Sequence, residues 1–219
     1  MAGRPPWSTR KLPVSLPLFP LTGALLLPRG LLPLNIFEPR YLNMVDDALA
    51  GDRLIGMIQP SDPEPTGFNP PLHRIGCAGR ITSFAEDGER YLITLTGVSR
   101  FDVTEEVATT RLYRRAVPDW APYAHDLVPN SAAGPIARTR LIAGLKQYFQ
   151  LRGLQIDWKA LEATTDDRLV TTMAMVCPFG PVEKQNLLQA ADLAERARLL
   201  TGLVEMALLE RPGGGSARH

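Results

Sequence analysis

Residues 16–49, LPLFPLTGALLLPRGLLPLNIFEPRYLNMVDDAL, decide the fold. The first part is apolar and cut by Pro17, Pro20 and Pro28, which removes amide donors and suits edges and turns more than a central ladder. A helix follows: Pro39 fits the first turn, where its missing amide costs nothing, and Tyr41, Leu42, Val45 and Leu49 recur at three-and-four spacing. Gly51 offers a left-handed stop, leaving Arg40, Asn43, Asp46 and Asp47 largely outside. Arg4, Arg10 and Lys11 ahead of the leucine-rich stretch mimic a signal peptide. The prolines, beginning at Pro13, would break such a helix, and Arg29 interrupts the span of about 20 apolar residues that a membrane requires.

Working outward, LIGMIQ at 54–59 reads as a buried strand, and the proline-crowded loop that follows, up to Leu72, suits neither helix nor ladder. Strand patterns at 75–84 and 91–98 flank Glu86-Asp87-Gly88-Glu89, where Asp-Gly supplies a hairpin turn. Strands at 101–105 and 112–117 complete a sheet able to curl into a partly closed barrel. The stretch from Pro118 to Gly134 is loop-like and marks an internal boundary. Beyond it, Pro135 starts a helix with the stripe Leu141, Leu145, Tyr148 and Phe149, which Gly153 ends. Asp166 is expected to cap a helix bearing Leu169, Val170, Met173 and Val176. Pro181 opens another, and Asp192 with Glu195 forms a capping box for the last, through Leu199, Leu203 and Leu208. The fold class is therefore α+β, a curled β-sheet with one helix followed by a small α-helical bundle. The expected divisions are a disordered tail at 1–12, a β-rich subdomain at 13–121, a linker at 122–134, a helical bundle at 135–211 and a second tail at 212–219.

Three parts of the chain together resemble the amino-terminal, substrate-binding domain of Lon proteases: the opening 16–49; Gly76, Ile93-Thr94-Leu95-Thr96-Gly97 and Arg100-Phe101 with Val103; and EKQNLLQAADLAERARLL at 183–200. The resemblance covers roughly residues 14–210 and implies a pseudobarrel similar to those of PUA-like modules. It implies capture of polypeptides without the ATPase and serine-lysine peptidase modules, for which a chain ending at His219 leaves no room. Its motifs are prolines, glycines and core positions, which identify a fold better than an activity.

Chemistry is sparse. The spacing from Gly51 to Gly56 is followed by Met57 and Ile58 where a phosphate-binding loop needs lysine and a hydroxyl. His73, His125 and His219 are scattered, without zinc-ligand spacing. None of Lys11, Lys146, Lys159 or Lys184 stands in a serine motif resembling the Lon peptidase site. No cofactor is expected. Net charge is +1, from 24 basic and 23 acidic residues, which lacks the strong field of a nucleic-acid binder. The densest basic cluster, Arg111, Arg114 and Arg115, reads as a solvated strand. Cys77 and Cys177 form no disulfide framework and point to a reducing cytosol.

The expected function is a non-catalytic polypeptide-binding module, an adaptor or chaperone-like factor whose partners are unfolded chains and a separate protease. Exposed apolar side chains and open sheet edges would engage the client. Glu38, Arg40 and Asn43 are placed beside the bound chain, with Met57 and Phe68 as apolar contacts. Met57 also reads as strand core and Phe68 as tucked onto its own domain. Glu38 with Arg40 suggests a charge relay, or more simply Glu38 caps the helix amino terminus through the favourable dipole while Arg40 solvates the first turn. The alternative is an RNA- or small-ligand-binding pseudobarrel.

Overall fold

The computed structural model describes residues 12–62, 67, 69–128 and 135–210. Six strands, β1 (Leu16–Pro20), β2 (Leu31–Ile36), β3 (Leu54–Ile58), β4 (Ile75–Asp87), β5 (Arg90–Val107) and β6 (Arg115–Asp119), form one sheet in the order β2-β5-β4-β3-β1-β6. A further β5–β6 pairing closes β5-β4-β3-β1-β6 on itself, the curled barrel expected from the sequence. β2 lies outside that closure, on the first half of β5, with Leu31 opposite Thr96 and Ile36 opposite Tyr91. The β1–β3 pair is parallel; the crossover it requires is supplied by β2 and α1 (Pro39–Ala50).

The hairpin between β4 and β5 turns at Gly88, φ 61°, a left-handed conformation that glycine adopts without a Cβ clash. The separate strands expected at 91–98 and 101–105 are one strand of 18 residues. It bends at irregularities beside Gly79 and Val103 and at Ser83 of its partner rather than breaking, since bulges increase local twist. At Gly97 a Cβ would lie 2.0 Å from the Leu27 carbonyl oxygen, so the 25–30 segment crosses β5 backbone to backbone.

α1 buries Tyr41, Met44, Val45 and Ala48. Gly51 is not left-handed, with φ −118°; the positive angle falls on Arg53, φ 58°, whose amide bonds the Ala48 carbonyl at 2.8 Å. The helical half contains α2 (Arg138–Arg152), α3 (Trp158–Glu162), α4 (Asp166–Val176), α5 (Pro181–Gln189) and α6 (Leu193–Leu209). Leu141, Leu145, Tyr148 and Phe149 are buried along α2, which ends at left-handed Gly153. Thr165, not Asp166, caps α4; Asp166 occupies the first turn, where the helix dipole favours its charge. Asp192 accepts the Glu195 amide at 2.8 Å, and Glu195 returns to the Ala191 amide at 2.6 Å, a capping box displaced by one residue.

One apolar core runs through both halves, joining Phe19, Leu27, Met44 and Leu95 to Leu145, Tyr148, Met173 and Leu200. A second fills the barrel around Leu16, Leu18, Ile58 and Phe101. Within the expected linker, Ala121–Leu127 is a 3-10 helix with Asp126 buried; residues 129–134 lie outside the described residues. Arg100, 1% exposed, pins this helix between sheet and bundle. Its Nε and Nη2 meet Asp126 at 2.9 and 3.0 Å, Nη1 donates to the Leu188 and Ala190 carbonyls at 3.1 and 2.6 Å, and Nη2 reaches His125 Nε2 at 2.9 Å. All five guanidinium N–H groups are thus engaged. Gln59 adds a second tie, accepting the Gly23 amide at 3.0 Å and donating to Gln185 Oε1 at 3.0 Å.

Candidate functional site

The sheet face around β2 combines apolar exposure with an open edge. Register places Leu31 beside Thr96, Pro33 beside Thr94 and Asn35 beside Leu92, while β4 contributes Ser83 and Ala85 opposite Thr94 and Leu92. Cross-strand partners share a face. On this one Leu31 is 60% and Leu92 42% exposed, and Pro33, Asn35 and Ala85 are exposed too. Phe37, next after β2, is 62% exposed. The opposite face turns Leu32, Leu34 and Ile36 inward against the core. Beside β2, a groove of about 550 Å³ runs between Arg29, Gly30 and Leu31 and the α4 residues Thr172, Met175 and Val176. Arg29 sets its width: the side chain holds Asp167 Oδ2 at 3.0 Å and the Asp126 carbonyl at 2.9 Å, and its φ is 66°. A non-glycine residue stays left-handed when such contacts hold it there.

Through Phe37 and Glu38 this face continues to the α1 terminus and a polar concavity of about 270 Å³, lined by Arg40, Tyr41, Leu112, Tyr113 and Arg114 among others. The structure brings Glu38 and Arg40 together, 3.0 Å from Oε2 to Nε. Glu38 makes no side-chain cap bond; its carboxylate is taken by the guanidinium, which also lies 4.5 Å from the Tyr41 ring centre. Asn43 is exposed one turn along the same helix. Met57 is 4% exposed in the core, so it offers no contact surface: its strand pairs on both sides, with β1 and β4, and the side chain faces the bundle's core cluster. Phe68 lies outside the described residues.

Burial keeps several titratable side chains neutral. Burial raises Tyr41, partly offset by Arg40, and burial with the Asp47 hydrogen bond raises Tyr113, so both phenols remain donors. Burial lowers His73 and pushes the Cys177 thiol up to about 12. Cys77 is raised by the same cause, which leaves both cysteines far from the thiolate character of reactive sites. The basic cluster is paired off: Arg114 with Glu106 and the Pro70 carbonyl, Arg111 with Asp47 at 3.2 Å, Arg115 with Ser15. Sequence reasoning missed Leu31, Phe37 and Leu92; alternation along 31–36 against 91–96 carried the signal.

The family model of the ATP-dependent protease La (LON) substrate-binding domain matches residues 15–205. The chain is 25% identical over 215 residues to a Lon protease of Syntrophus aciditrophicus, covering 90% of this chain and 26% of the relative. It is 26% identical over 205 residues to Lon protease 2 of Sorangium cellulosum, covering 87% and 24%. It thus spans about a quarter of the length of the curated relatives it matches. Two solved structures share the fold: a Lon N-terminal domain protein from Xanthomonas campestris, TM-score 0.58 at 23% identity, covering 90% of this chain and 99% of that one; and the N-terminal domain of Mycobacterium avium complex Lon protease, TM-score 0.60 at 17% identity, covering 87% and 98%.

Proposed function

We propose, from the premise that this chain belongs to the Lon substrate-binding domain family, that it captures unfolded polypeptide segments on the outer face of β2, β5 and β4. The observation that carries this reading is the exposure of Leu31 and Leu92 on one face of the β2–β5 ladder, with Phe37 exposed just beyond β2, on an otherwise charge-balanced molecule. Apolar surface of that kind, rimmed by polar groups, serves interaction rather than packing. Glu38, Arg40 and Asn43 continue the surface along α1 and would grip the main chain or polar side chains of the client. The chemistry is passive: no nucleophile, metal or cofactor is assigned. Capture would serve an adaptor or chaperone-like role beside a separate protease, a reading supported by the relatives' being proteases. Two free, buried cysteines suit a cytosolic setting. The pairing of Arg111 with Asp47 and of Arg114 with Glu106 weakens the basic cluster as an RNA-binding surface.

Fluorescence anisotropy of a labelled, reduced and carboxymethylated polypeptide, run beside a labelled single-stranded RNA at two salt concentrations, tests the reading. Saturable polypeptide binding that survives salt is expected. A Leu31→Asp/Leu92→Asp variant should bind about tenfold more weakly or worse, given the apolar area removed. RNA binding alone, with the steep salt dependence of phosphate contacts, would overturn it.

A further inference from the structure

The phase of the β2–β5 ladder follows from two bonds. The Gly97 amide donates to the Gly30 carbonyl at 2.9 Å, so the odd-numbered residues of this part of β5 turn their backbone groups toward β2. Consistently, the Thr94 carbonyl faces β4, where the Thr82 hydroxyl donates to it at 3.2 Å. Residues opposite each other alternate between bonded and unbonded pairs along an antiparallel ladder. Leu32, Leu34 and Ile36 therefore bond β5, opposite Leu95, Ile93 and Tyr91, and Leu31, Pro33 and Asn35 turn their backbone groups away from it. Among the described residues no other strand pairs with β2, and no backbone bond leaves this outer side.

We propose that the client segment named above is bound as an added β-strand on this edge; the inference rests on the polypeptide-binding reading and specifies how the site works. The edge presents carbonyls at 31, 33 and 35 and amides at 31 and 35, spaced so that alternate residues of an extended chain meet them. Beyond Leu31 the strand runs into the groove against Thr172, Met175 and Val176, where its apolar side chains find a wall. Pro33 selects the occupant. Two copies of β2 paired about their centre would place Pro33 opposite Pro33, with neither amide available, so the middle of such a dimer ladder would be empty. A foreign chain carries its own amide at that point and donates to the Pro33 carbonyl. The edge thus accepts a client strand and refuses a second copy of itself, as proline on edge strands does elsewhere.

The test uses the wild-type protein and a fluorescein-labelled decapeptide of alternating valine and lysine, with each residue N-methylated in turn. Methylation should weaken binding at every second position, by about fivefold per lost bond, and leave the intervening positions unchanged. Asn35→Pro should reproduce about the same loss, while Asn35→Ala, which keeps the amide, should not. Uniform sensitivity to N-methylation, or full binding by Asn35→Pro, would overturn strand addition while leaving capture on the apolar face intact. If neither the decapeptide nor the carboxymethylated polypeptide binds wild type, the functional reading fails and this inference with it.

Discussion

The two halves of β5 belong to one continuous strand and lead opposite lives. Residues 90–97 carry β2 on one side and β4 on the other, with Leu92 open to solvent and the ladder ending in an unpaired edge. Residues 98–101 are buried, and the Arg100 guanidinium there has every donor occupied by the 3-10 helix or by the end of α5. Where backbone and side-chain polar groups are saturated, the strand is structural. Where the ladder it carries ends, at the outer side of β2, backbone groups face water beside apolar side chains and are open to a partner. The joint is not uniformly satisfied either: Arg196, buried close by, leaves Nη2 without a partner among the described residues, and burial pulls it down to about 10.

Removing the saturated side should have the largest effect. Arg100→Ala strands the Asp126 carboxylate and the α5 carbonyls, a loss of about 3–5 kcal/mol for a broken buried pair. The melting temperature should fall by roughly 10 °C or more, with both halves unfolding together in calorimetry; separate transitions would break the comparison. Gln59→Ala is the milder case. It orphans the Gly23 amide and one side of Gln185, costing about 1–3 kcal/mol, read by urea unfolding as a lower midpoint with an unchanged slope. The smallest effect sharpens the other side: in native-state hydrogen exchange the Leu31 and Asn35 amides should exchange fast, and those of Leu32, Leu34 and Ile36 slowly, since only the latter bond β5. Equal protection along β2 would mean that its edge is covered.

Much of the fold was legible because local chemistry and tertiary structure agree. Asp87-Gly88 makes the turn it is suited to, the α2 stripe is buried, and Gly153 ends its helix in the left-handed state. What was illegible depended on distant partners. Glu38 reads as a dipole-complementing residue, but Arg40 captures it. Gly51 could have turned the chain, yet the turn falls on Arg53 once Ala48 accepts its amide. Helix α3, five residues capped by Asp157, is too short to show a period. Arg100 was visible only as part of a motif, since its partner Asp126 sits 26 residues on, in a stretch of loop-like composition. At the candidate site, Glu38, Arg40 and Asn43 share the α1 terminus. Met57 lies in the core, as its apolar run also reads, because both faces of β3 are covered, and Leu31 and Leu92 emerged only from strand register.

The Arg100 bonds to Leu188 and Ala190 also order events in time. The arginine and its carboxylate leave the ribosome close together, but the carbonyls that complete the site are 88 and 90 residues further along the chain. A nascent barrel therefore waits with two donors of a buried cation unmet, and the end of α5, where Arg196 already bonds the Leu187 carbonyl, receives its second cation only on docking. The site is complete only when residues from both halves meet, a contact of high sequence separation, the kind that slows folding.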